Sequence, residues 1–73
     1  MLKEVQLKHI SDQEIIDAIN LYPQTQLRPP ELLASKYPEK LVYRKMEQML
    51  ARRILECGVS VRTAWINDSY VSK

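Results

Sequence analysis

The side chains able to do covalent or metal chemistry in this 73-residue chain are few: one cysteine, Cys57, and one histidine, His9. A lone cysteine excludes an internal disulfide and any zinc site built on a cysteine pair. A reactive thiolate needs a neighbouring histidine or cation, and His9 is remote in sequence, so Cys57 reads as a small, half-buried strand residue. His9 sits in a polar leader and reads as a solvated side chain. With no P-loop, metal-ligand spacing or nucleophile elbow, the chain is expected to be no enzyme and to hold no metal or cofactor. What remains is charge. Residues 1–39 carry four bases against six acids, whereas residues 40–73 carry seven bases (Lys40, Arg44, Lys45, Arg52, Arg53, Arg62, Lys73) against three acids, within a net charge of +2. That asymmetry points to a polyanion-facing half.

The elements that must position those bases follow from pattern. A hydrophobic content of 45% with 27% charge suits one globular domain, and a chain this short cannot be divided further. Apolar runs fall far short of the roughly 20 residues that cross a bilayer, and no signal-peptide pattern opens the chain, so a cytoplasmic protein without a membrane is expected. Residues 1–10, with Leu2, Val5, Leu7 and Ile10 in no clean period, read as an arm or short edge strand. "SDQE" at Ser11–Glu14 is a capping box that starts a helix. Ile15, Ile16, Ala18, Ile19 and Tyr22 form its apolar face, Asp12, Gln13 and Asp17 face away, and Pro23 ends it. Pro29 and Pro30 suit the first turn of a short second helix that buries Leu32 and Leu33, and a turn falls near residues 35–38. A third helix is predicted over about Glu39–Arg53. Val42, Met46 and Met49 form its packing stripe, with Lys40, Arg44, Glu47, Gln48 and Ala51 on the opposite sector.

After Arg53 the period changes from helical to two, through Leu55, Cys57, Val59, Val61, Thr63 and Trp65. This predicts a hairpin with strands near 54–57 and 62–66, turning between Gly58, the only glycine, and Val61. The tail, residues 67–73, is polar.

This order of elements resembles the winged helix-turn-helix DNA-binding domain. The likeness rests on "ELLASKYPEKLVYRKMEQMLARRILE": Val42, Tyr43, Arg44, Lys45, Met46 and Met49 stand where that family has a branched or aromatic residue, two bases and apolar residues three apart. Ile54, Leu55 and Glu56 match the start of its first wing strand. The resemblance covers roughly residues 11–66 and departs where the third helix ends, with Arg53 in place of a common glycine. The hairpin is also similar to wings in small phage and prophage proteins. The resemblance implies an α+β, mostly α fold: three helices and a C-terminal two-stranded β-hairpin wing. It also implies that the third helix enters the major groove while the wing touches the backbone. Lys40 and Arg44 then project from the recognition helix, Tyr43 and Gln48 lie at its margins, and Ser60 and Arg62 belong to the wing. Arg28 and Thr25 precede the second helix, whose first amides are expected to accept a phosphate. The fork of Arg44 suits the two acceptors of guanine and Gln48 suits adenine. The alternative for Arg44 is pairing with Glu47 or Gln48 on a solvated helix face.

The expectation is therefore a small double-stranded-DNA-binding protein: a transcriptional regulator, or an accessory factor of recombination or replication. It is expected to act as a homodimer or cooperatively on repeated sites. The alternative keeps the fold and binds a protein, a host enzyme or regulator, because Glu39 and Glu47 flank the basic face.

Overall fold

The computed structural model describes Gln6–Asp68; residues 1–5 and 69–73, which hold half of the expected arm and most of the tail, lie outside the described residues. The fold is mostly helical with a small antiparallel sheet at its C-terminal end. The three expected helices appear as four segments: α1 (Asp12–Asn20), α2 (Tyr22–Thr25), α3 (Pro29–Leu32) and α4 (Glu39–Ala51). A 3-10 turn at Leu7–His9 precedes them, so this stretch is not an edge strand. Its role is to deliver Ile10, 1% exposed, into the core.

The capping box forms as the sequence requires. The Glu14 N–H donates to Ser11 Oγ (3.1 Å) and the Ser11 N–H donates to the Glu14 carboxylate (3.0 Å), satisfying two amides that the first turn of α1 would otherwise orphan. α1 ends at Asn20, ahead of Pro23, which itself lies in the single turn of α2 where a proline needs no amide proton. Gln26 closes α2 in the left-handed region (φ 58°). Pro29 and Pro30 open α3 and are both buried. The chain then turns through residues 33–37, where the Lys36 and Tyr37 amides both donate to the Leu33 carbonyl (2.9 Å each).

α4 carries the core. Val42, Met46 and Met49 are each fully buried, packed with Ile10, Ile15, Ile54 and Leu55, while Lys40, Arg44, Glu47, Gln48 and Ala51 are all exposed. Each large apolar side chain so buried contributes about 1.5–3 kcal/mol relative to exposure, so this one stripe fixes which face of α4 points outward. α3, the first strand and the turn at 61–63 pack on α4, and the second strand packs on α1.

The C-terminal end of α4 is a Schellman motif built without glycine. The Ile54 amide donates to the Met49 carbonyl (2.9 Å) and the Arg53 amide to the Leu50 carbonyl (3.0 Å), with Arg53 left-handed at φ 64°. Ile54 and Met49, the positions at which this motif commonly places an apolar contact, are both buried in the one core cluster. A Cβ in this region costs on the order of 1–3 kcal/mol, partly offset in glycine by its extra chain entropy. Arg53→Gly is therefore expected to stabilise the fold by about 0.5–1 kcal/mol, read as a thermal midpoint several degrees higher. An unchanged or lower midpoint would mean that the arginine side chain contributes a contact worth as much as the strain.

The predicted hairpin is corrected in its outer half. Only Leu55–Glu56 (β1) and Trp65–Ile66 (β2) pair, in the register Leu55↔Ile66 and Glu56↔Trp65. Between them Val61–Thr63 is a 3-10 turn rather than strand. Ser60 causes this: its Oγ accepts from the Arg62 amide (3.0 Å), and the Thr63 hydroxyl donates to the Ser60 carbonyl (3.1 Å), a local alternative that outcompetes extension. The period of two breaks accordingly. Leu55 and Ala64 are buried, but Val59 is completely exposed, Trp65 is 48% exposed and Cys57 is exposed instead of half-buried. Gly58 has an ordinary φ, and a Cβ there would meet only the Trp65 ring edge at 4.0 Å.

Candidate nucleic-acid interface

The packing stripe of α4 leaves one outward face. Lys40 in the first turn, Arg44 one turn on and Gln48 beyond it are exposed along that face, and Glu39 and Glu47 are exposed there too. Neither Lys40 nor Arg44 forms an ion pair with any described residue, and Arg44 does not bond to Glu47 or Gln48. Arg53, exposed just past the end of α4, is also without an ion pair among the described residues, whereas Lys45, Arg52 and Arg62 are paired. Lys45, one of the two bases in the Tyr43–Met46 run, turns inward: it is 9% exposed and its ammonium lies 2.7 Å from Asp12. Arg52 binds the same carboxylate with both guanidinium nitrogens, Nη1 at 3.1 Å and Nη2 at 2.9 Å. Asp12 therefore does not face away; it joins the start of α1 to the middle and end of α4. The hydrogen bond from Lys45 is the main reason its carboxyl is held below the usual range, and burial works against it.

Arg62 meets α4 at the Tyr43 margin. Its Nη1 donates to the Tyr43 hydroxyl (3.3 Å) and its Nη2 to Glu31 Oε2 (2.8 Å). Three elements converge at this guanidinium: the 61–63 turn, α4 and α3. The Tyr43 hydroxyl first, and then the Glu31 carboxylate, favour the charged form of Arg62. Ser60 lies exposed beside it and spends its hydroxyl on the turn.

Arg28 touches this cluster through its backbone amide, which donates to Glu31, but its side chain turns to another element. Its guanidinium stacks 3.9 Å from the centre of the Tyr22 ring on α2, a cation–π arrangement that holds it half-buried. The expected phosphate cradle at the start of α3 is corrected. Pro29 and Pro30 have no amide proton, the Glu31 and Leu32 amides donate to the Arg28 carbonyl, and the Arg28 amide donates to Glu31 Oε1 (2.9 Å). No donor remains there for an anion. Thr25 is likewise occupied, donating to the Leu21 carbonyl and accepting from the Leu27 amide, 3.1 Å each.

The arrangement thus brings Lys40, Arg44 and Gln48 onto one face and Tyr43 and Arg62 together at its edge, with the Arg28 guanidinium held against Tyr22 of α2. Sequence reasoning missed Glu31 and the Asp12–Lys45–Arg52 group. The spacing of Arg28 and Glu31 signals the cap of α3, but nothing local signals a partner 31 residues away. Among the described residues, no helix is long and apolar enough to cross a membrane, and no group of three or more His, Cys, Asp or Glu is placed to hold a metal ion. Comparison with protein-family models, with curated proteins and with solved structures finds no match.

Proposed function

We propose that this chain is a winged-helix module that binds double-stranded DNA. α4 would lie in the major groove, and the segment around Ser60 and Arg62 would meet the phosphate backbone. The observation that carries the reading is a sorting of charges. Lys45, Arg52 and Arg62 are each matched to a carboxylate, whereas Lys40 and Arg44 stand one turn apart on the outward face of α4 with no carboxylate partner among the described residues. Unpaired cations on an exposed helix face are what a groove lined by phosphates and base acceptors selects. The same reading makes the protein a regulator of transcription or an accessory factor of recombination or replication, of phage or prophage type. With few base contacts, it works as a homodimer or on repeated sites.

The test is fluorescence anisotropy against mixed duplex DNA from low to physiological salt. Affinity is expected to fall with salt at a log–log slope of about −0.9 per neutralised phosphate. Arg44→Ala is expected to weaken binding about tenfold, and Arg62→Ala to weaken it and reduce the slope by about one. Absence of binding at low salt would remove the reading.

One observation favours a second reading, a winged-helix module that docks on a protein such as a host enzyme or another regulator. Glu39 and Glu47 interrupt the basic face, and Val59 and Trp65 expose apolar surface at the hairpin. A pull-down through the exposed face of α4 becomes the informative experiment only if DNA is not bound.

A further inference from the structure

From the contacts of Arg62 we infer that Glu31 occupies, in the free protein, the place on that guanidinium which a backbone phosphate takes on DNA, and so holds down the affinity of the protein for duplex DNA of any sequence. This rests on the DNA reading above. A carboxylate and a phosphate engage the same planar fork of an arginine, and Glu31 Oε2 lies 2.8 Å from Nη2 while Tyr43 steadies Nη1. The ion pair is on the surface, with side chains 44% and 39% exposed, so a phosphate can reach it. Exposed pairs are also weak enough to be exchanged.

Once displaced, Glu31 cannot leave the interface. Its other oxygen accepts the Arg28 amide at 2.9 Å, and its backbone belongs to a turn anchored by buried Pro29 and Pro30. Its negative charge therefore remains beside the incoming phosphate and subtracts from the attraction at every site, whatever the sequence. The Arg28 guanidinium, the other cation near Glu31, is held on the Tyr22 ring. Contacts from α4 to base edges are not opposed in this way, so the penalty is the same for every sequence and lowers affinity without changing the preference between sites.

Glu31→Gln is the discriminating variant, because glutamine keeps an oxygen for the Arg28 amide and serves equally in a capping box. Its thermal midpoint is measured alongside to confirm that the fold persists. Anisotropy with mixed-sequence duplex at low salt should show affinity raised about two- to fivefold over the wild type. The salt slope should change by much less than the roughly 0.9 of a new phosphate contact, because Arg62 already neutralises its phosphate in the wild type, and the gain in affinity should vanish in the Arg62→Ala background. An unchanged or weakened Glu31→Gln, with wild-type binding still sensitive to Arg44→Ala, overturns the exchange and leaves the DNA reading standing. An equal gain with and without Arg62 also overturns it, as a general effect of charge. If the wild type itself fails to bind at low salt, both fall together.

Discussion

Asp12→Ala is expected to destabilise the fold by about 3 kcal/mol, most of it through Lys45 rather than through any contact of Asp12 with the core. Asp12 is 28% exposed at its side chain and Arg52 is 54% exposed, so on loss of the carboxylate the arginine turns to water at little cost. Lys45 has no such exit in place: only 11% of its side chain is accessible, and it lies on α4 beside the stripe of Val42, Met46 and Met49. An unpaired ammonium held there must either stay desolvated or bend its stem outward and disturb the packing around it. For a domain of this size, whose whole stability is on the order of 3–5 kcal/mol, the loss is most of the total. Urea unfolding reads it directly. The double variant Asp12→Ala/Lys45→Met separates the causes, since removing both charges should restore most of the stability. A single variant losing less than about 1 kcal/mol would mean that Lys45 reaches water along its own aliphatic stem.

The same carboxylate shapes the proposed interface. By pairing with Lys45 and Arg52, Asp12 takes up the charge of two of the seven bases of the C-terminal half, burying only the first, and links the start of α1 to α4. The outward face is then defined twice: by the apolar stripe that must be buried, and by the flank that must stay over Asp12. Lys40 and Arg44 are what remains exposed on α4 after both conditions are met. A net count of charge along the sequence overstates the cationic surface for this reason.

How much of this is legible in the sequence depends on the range of the interaction. Ser11 and Glu14, three residues apart, announce their cap, and Val42, Met46 and Met49 announce their face, because both signals are set by helix geometry within one or two turns. The paired prolines announce the start of α3 in the same way. Arg53 gives no sign that it will stand left-handed, since the condition is that Ile54 and Met49 on either side of the cap are both buried, not anything in the arginine itself. The segment from Leu55 to Trp65 misleads, because alternating residue types there compete with a local Ser60–Thr63 turn that extension cannot satisfy. Asp12 with Lys45, and Glu31 with Arg62, are separated by more than 30 residues, and one sequence carries no trace of which charges will meet.

Glu14 makes the chain sensitive to acid in a window that can be stated. The backbone hydrogen bond from Ser11 is the largest reason that its carboxyl titrates near about 2 instead of 4.5; the Tyr37 hydroxyl (2.8 and 2.9 Å) and Lys36 add to this, and burial opposes it. A carboxyl whose pKa is lower folded than unfolded binds fewer protons in the native state between the two values, so stability rises with pH across that interval. The contribution is complete above about pH 4.5 and is lost as pH falls towards about 2. At face value it corresponds to about 3 kcal/mol, and solvent around the exposed Lys36 reduces this to about 2 kcal/mol. Glu14→Gln keeps an acceptor for the Ser11 amide but cannot ionise. Its stability should be lower than that of the wild type at pH 7, and should change less between pH 4.5 and 2, leaving the slope due to Asp12 and Glu31, whose pKa values are lowered in the same direction. Parallel acid-unfolding curves for the two proteins would show that the Ser11–Glu14–Tyr37 network holds its geometry without the charge, and would shift the acid sensitivity to Asp12 and its two cations.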